Sequence, residues 1–240
     1  MTRTSSRIFA TLALASLTAA SMAQAEPLSF KRTVTEGATT KYKLQVALEI
    51  QGNAIEITAN ITEKIVKVEK DGSYSVESLE SDMELKMGGQ SFPTDEGDSK
   101  PRTTKYSAAG VPLEMLGSDD DTTPESARLE FLNIIDLPAE AKKLGDKWSS
   151  LIKPADKFKA ETVKSDYEFV RTEKVGAWDT AVVVATTKEQ AGDKPAESKK
   201  TMWLDTKDFS LVKIEAKLTN APLPGMPDPV DMTISITRQP

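Results

Sequence analysis

The feature that most constrains this chain is a period-two alternation that recurs along most of its length. Over residues 42–50 the even positions are Tyr42, Leu44, Val46, Leu48 and Ile50, with Lys43, Gln45, Ala47 and Glu49 between them. Successive side chains of a strand point to opposite faces, so this pattern is a strand with one apolar and one wet face. Gln51-Gly52-Asn53 is a turn. Ile55, Ile57, Ala59 and Ile61 then alternate with Glu56, Thr58, Asn60 and Thr62, completing a long hairpin. The phase slips at Ile65-Val66, which predicts a bulge and local bending. After a turn at Lys70-Asp71-Gly72, Tyr74 and Val76 open a third strand. Met83, Leu85 and Met87 end it in the opposite phase, which predicts a second bulge or a break near Leu79.

Residues 94–101 read as a polar loop, and 103–106 with 111–116 as a short hairpin about Ala108-Ala109-Gly110. The best helix starts at Thr123. That residue suits the N-cap, Pro124 suits the first helical position, and Glu125 suits the positive end of the helix dipole. A further helical turn is expected over 139–144, ended by Gly145. Strands resume over 158–170, 180–187, 200–205 and 211–218, and a last one carries Val230, Met232, Ile234 and Ile236. The run Ala181-Val182-Val183-Val184-Ala185 is apolar on both faces and reads as buried on both. Four prolines between Ala221 and Val230 make a stiff connector that cannot join a ladder.

Many strands in succession, most with one apolar face, must cover that face. One good helix is too little to roof a flat sheet of such width. The expected fold is therefore mainly β: a curled antiparallel sheet, as a half-barrel or open barrel, with the helix as plug or lid. An outer-membrane barrel fits poorly, because 3 Trp, 4 Tyr and 7 Phe cannot furnish two aromatic girdles.

Composition then narrows the chemistry. The chain has no Cys and no His. Imidazole bases, Ser–His and Cys–His nucleophiles, thiolate metal sites, disulfides and a lipidated cysteine are all excluded. No cofactor is expected. The first 25 residues read as a cleaved export signal: Arg3 and Arg7, a short apolar stretch, then Ala23-Gln24-Ala25. The expected mature part, 26–240, is a single β-rich domain. The leader holds two arginines and no acid, so the mature part keeps 29 basic and 37 acidic residues. That acidic balance argues against nucleic acid and anionic membrane surfaces as partners. No later segment is apolar enough to span a membrane as a helix. Export without disulfides points to a bacterial periplasm or an extracellular location.

Two short motifs carry a family resemblance: Gly145-Asp146-Lys147-Trp148, and the strand–turn–strand run from Met202 to Ala216 with Trp203 and Asp205 before the turn. With the order of strands, helix and strands, the chain resembles exported envelope proteins of the LolA/LppX-like kind. That resemblance implies an open β half-barrel with a helical lid, whose partner is a lipid or the acyl chain of a lipoprotein. It carries no individual functional residue over to this chain.

The inner face of the curled sheet is the candidate site. Its expected lining is Leu44, Val46, Leu48, Ile57, Ile61, Met83, Leu85, Val212, Ile214, Met232 and Ile234. Such a face is either a ligand cavity or a filled core. In the second case the protein is an envelope interaction or structural protein, an alternative motivated by the lack of any convergent polar site. A third reading, a carboxylate hydrolase, rests on Asp205 with Asp208 and Asp228 with Asp231, and requires two carboxyls facing into a cleft. No catalytic residue is expected. Ser118-Asp119-Asp120-Asp121 is the densest acidic cluster; it lacks EF-hand spacing and reads as a solvated loop before the helix.

Overall fold

The computed structural model describes residues 26–93, 100–117 and 123–240. The export signal expected over 1–25 and the acidic cluster Asp119–Asp121 lie outside them. The long hairpin is β1 (Thr39–Ile50) and β2 (Asn53–Val68). Gln51 and Gly52, at φ of 51° and 81°, form its two-residue turn, the left-handed backbone that a tight hairpin requires. Next come β3 (Tyr74–Met87), β4 (Gln90–Pro93), β5 (Arg102–Tyr106) and β6 (Pro112–Leu116). The helix α1 (Pro124–Leu132) precedes β7 (Lys147–Ile152), β8 (Val163–Val175), β9 (Trp178–Glu189), β10 (Glu197–Asp205), β11 (Leu211–Ala221) and β12 (Val230–Arg238).

All these strands join one antiparallel sheet in the order β6-β5-β3-β2-β1-β12-β11-β10-β9-β8-β7, with β4 paired to β3 off that path. The first and last long strands lie side by side, Leu44 opposite Ile236 and Leu48 opposite Met232. The edges are then β6 and β7, and they do not pair, so the sheet stays open. The chain between these two edges carries α1. Connectivity alone therefore sends the helix across the open side.

Bulges supply the curl. The ladder between β2 and β3 shifts between Ile65 and Lys67, at the expected phase slip, and again between Thr58 and Asn60. The second shift faces Asp82 and Met83, where Asp82 has a φ of 49°, three residues beyond the position expected near Leu79. Further shifts fall at Phe169/Arg171 in β8 and at Trp203/Leu204 against β11.

The helix forms where its capping signals stand. Thr123 Oγ1 accepts a hydrogen bond from Ser126 N at 3.2 Å, and Pro124 occupies the first turn. Ala127 and Phe131 pack with Ile134, Ile152, Phe158 and Val163, and Met115 of β6 leans on the same cluster. The two unpaired edges are thus sealed by side chains rather than by a ladder. Burying Phe131 and Leu132 fully contributes about 1.5–3 kcal/mol each. Two polar clamps hold the helix to the sheet. Arg128 Nε and Nη2 each donate to Glu189 at 2.7 Å, a bidentate pair whose carboxylate also accepts from Ala196 N at 2.8 Å. Lys200, 3% exposed on β10, donates from Nζ to the carbonyls of Leu132 at 3.0 Å and Ile134 at 2.7 Å. Burial pushes the Lys200 ammonium down to about 7.

Two expectations need correction, and two strands were not anticipated. Residues 139–144 are not helical; Lys142 instead exchanges two backbone hydrogen bonds with Leu28, both 2.9 Å, which ties down the N-terminal segment. The strand expected from 158 starts at Val163, because Asp156–Phe158 form a single 3-10 turn. Strands β4 and β7 had no alternation long enough to show in the sequence.

Candidate ligand-binding cavity

The inner face divides into two halves. Beneath β8–β11 it is solid. Phe30, Tyr167, Phe169, Val183, Met202 and Leu204 form a continuous core, with Phe30 edge-on to Phe169 at 5.3 Å between ring centroids. Leu129 and Leu132 of the helix fill the adjoining space against Ala216 and Leu218. Beneath β1–β3 and β12 the filling is partial: Leu48 and Met232 join the cluster around Leu132, and the rest of that face is open. A cavity of about 630 Å³ lies there, bounded by those strands, by Leu129, Glu130 and Asn133 of the helix region, and by Leu211, Ile214 and Leu223. That volume falls within the range of about 300–1,000 Å³ usual for small-ligand sites.

Nine of the expected lining residues border this cavity: Leu44, Val46, Leu48, Ile57, Ile61, Leu85, Ile214, Met232 and Ile234. The register explains their meeting, since Val46 stands opposite both Ile57 and Ile234, and Ile57 opposite Leu85. Two do not border it. Val212 sits at the β10–β11 bulge, which turns it to the other face, where it packs with Val182 and Trp203. The same bulge leaves Leu211 on the cavity side. Met83 lies at the β3 bulge beside Asp82 and leaves the alternation that places Leu85 inside.

Sequence reading missed a group of polar residues at one end. Arg32, Glu63, Tyr74, Glu80, Arg102, Tyr106 and Glu130 all border the cavity. The ladder places them together: Glu63 is opposite Thr40 on one side and Ser78 on the other, Tyr74 is opposite Tyr106, and Arg102 is opposite Ser78. The apolar wall lies at the far end of β1. From Tyr42 to Ile50 is eight residues, about 27 Å of strand. The cavity is therefore polarised along its length.

Arg32 reaches this end because the N-terminal segment is pinned on both sides, by the Leu28–Lys142 bridge and by Thr33 N donating to Asp208 O at 3.0 Å. Its guanidinium lies over the Tyr74 ring, 5.4 Å from the centroid. Among the described residues the side chains of Arg32 and Glu63 make no hydrogen bond or ion pair. Burial raises the Glu63 carboxyl above its usual range, opposed by the charge of Arg32. Burial likewise raises the Tyr42, Tyr74 and Tyr106 phenols, which keeps them neutral hydroxyls. Tyr106 donates to Glu130 Oε1 at 2.7 Å. The Tyr74 hydroxyl and Asn133 Oδ1 are buried and unpartnered.

The carboxylates proposed for hydrolysis lie elsewhere. Asp205 and Asp208 serve the β10–β11 turn, accepting from Lys207 N and Ser210 N at 3.0 and 2.8 Å. Asp231 accepts from Asn220 N at 3.1 Å. None of these, nor Asp228, borders the cavity. Among the described residues no group of three or more acidic side chains is placed to hold a metal ion, and no helix is long and apolar enough to cross a membrane.

No family model and no curated protein matches the chain. Among solved structures it is similar to the hypothetical lipoprotein YmcC of Escherichia coli (K12), at 12% identity and a TM-score of 0.34, over 84% of each chain. It is also similar to a DUF1329 family protein from Desulfovibrio piger ATCC 29098, at 11% identity and a TM-score of 0.27, over 85% of this chain and 84% of that one. At these values the function has to be read from the cavity itself.

Proposed function

We propose that this is an exported envelope protein that holds an apolar, acyl-type ligand in its curled sheet, as a carrier or sensor rather than an enzyme. The supporting observation is the contrast between the two halves of one inner face. One half is packed like a protein interior, and the other, where Leu48 and Met232 join the cluster around Leu132, leaves about 630 Å³ open bordered by Leu44, Val46, Ile57, Ile61 and Leu85. Interiors pack closely, and an empty apolar volume costs stability in proportion to its size. A chain evolved only for a filled core would close that space with larger side chains or a second helix. The volume therefore counts against the filled-core alternative. The helix α1, bridging the two sheet edges, acts as the lid over the ligand.

The test is uptake of a dansyl-labelled fatty acid by the purified protein and by Ile57→Trp, which fills the middle of the cavity. Saturable one-site uptake by the native protein, lost in a folded Ile57→Trp, supports the reading. No uptake, or equal uptake by both, overturns it.

A further inference from the structure

The polar end of the cavity has a recognition chemistry of its own. Two opposite charges, Arg32 and Glu63, border one cavity, and among the described residues neither side chain makes a hydrogen bond or an ion pair, Arg32 resting only on the face of the Tyr74 ring. Both are half-buried, and a charge partly removed from water without an ion-pair partner is costly. Under Arg32 is a buried hydroxyl, Tyr74, 1% exposed, and a buried amide oxygen, Asn133 Oδ1, borders the same cavity; neither has a partner. Glu130 is different: it is already occupied as the acceptor for Tyr106. Arg102 and Glu80 border the same end, also without a hydrogen bond or ion pair among the described residues, so the open groups there are balanced in charge, with Arg32 and Glu63 joined by a free hydroxyl, and a free amide acceptor also borders the cavity.

We propose that this end is a head-group site for a single-chain amphiphile bearing both an anionic group and an ammonium, with Arg32 receiving the anion and Glu63 the ammonium. The proposal rests on the acyl-binding reading above and adds the class of head group. Arg presents a planar fork of donors suited to phosphate or carboxylate, and the Tyr74 hydroxyl under it supplies a further donor. A purely anionic head would satisfy Arg32 and leave Glu63 unpaired beside a second negative charge. A purely cationic head would do the reverse. A head with both charges satisfies both partners at once, and the Asn133 acceptor is then free for a remaining N–H or O–H. The apolar run from Leu44 to Ile50 receives the chain.

The experiment compares four ligands with chains of the same length, by displacement of the dansyl fatty acid. They are palmitoyl lysophosphatidylethanolamine, hexadecyl phosphate, hexadecylamine and hexadecanol. The expected order places the lysophospholipid at least ten-fold tighter than hexadecanol and tighter than either single-charge ligand. Arg32→Gln should weaken the lysophospholipid and the phosphate about ten-fold and leave the amine and alcohol unchanged. Glu63→Gln should weaken the lysophospholipid and the amine and leave the phosphate and alcohol unchanged. Retained hexadecanol binding shows that each variant is folded. If all four ligands bind alike, or a single-charge ligand binds tightest, or the substitutions leave the order intact, the head-group proposal is overturned and acyl binding stands. If none binds, the acyl reading itself fails.

Discussion

The clamp between Arg128 and Glu189 offers a demanding test of how the lid is held. Glu189 is almost wholly buried, with its side chain 1% exposed, whereas Arg128 is 26% exposed. Arg128→Met keeps most of the packing and removes both donors at 2.7 Å, leaving a buried carboxylate with only the Ala196 amide. Breaking a buried pair from one side typically costs about 3–5 kcal/mol, and the partial exposure of Arg128 places this one at the lower end, about 3 kcal/mol. For a domain of this size that lowers Tm by about 6–12 °C. Adding Glu189→Gln removes the stranded charge and keeps a carbonyl for the Ala196 amide. The double variant should recover to within about 1–2 kcal/mol of the native protein. Urea denaturation followed by tryptophan fluorescence reads both. The reasoning fails if Arg128→Met lies within about 0.5 kcal/mol of native, or if the second substitution gives no recovery.

Lys200 predicts a pH dependence. Its folded value of about 7 lies below the ordinary 10.5, so between these limits the unfolded chain binds a proton that the folded chain does not. Stability should therefore rise with pH above about 7, and by about 2–3 kcal/mol between about pH 7 and pH 9.5. Lys200→Met should flatten that slope in denaturation curves taken across the interval; an unchanged slope contradicts the assignment. The raised tyrosines titrate above this window and do not confuse it. Gly110 is held at φ 90°, and a Cβ there would stand 2.9 Å from the backbone oxygen of Ile135, whereas Gly37 at φ 83° has open space around it. Gly37→Ala should cost about 1–2 kcal/mol for the left-handed backbone alone, and Gly110→Ala measurably more by thermal denaturation. Equal losses would show that the 134–135 segment yields freely.

The alternation of Leu44, Val46, Leu48, Ile57 and Leu85 carried the cavity wall, because period two fixes a face wherever the ladder is regular. It failed where the ladder bulges. Val212 reads in phase with Ile214, but an extra residue at that point reverses its side. Bulge positions depend on pairing with a neighbour, which one strand's pattern does not contain. The polar end was half legible. Glu63 continues the phase of Ile57, Ala59 and Ile61, and Glu80 that of Tyr74, Val76 and Ser78, so a charged residue on an apolar face was the available signal. Arg32 gave none, since it lies in an irregular segment placed by the distant Lys142 and Asp208. Lys200 was likewise visible only as a cation in phase with Met202 and Leu204, and its carbonyl partners, at and just beyond the end of the helix, lie 68 and 66 residues away. The two halves of the inner face have similar apolar patterns; which one is filled depends on where α1 and Phe30 settle.

The central claim, that the unpacked half of the sheet holds one acyl chain, is tested most directly by native mass spectrometry of the protein released from its own envelope without denaturants. The account predicts a single lipid-sized adduct, released on unfolding and absent from Ile57→Trp. A bare protein mass, with no adduct after incubation with palmitoyl lysophosphatidylethanolamine, would contradict it.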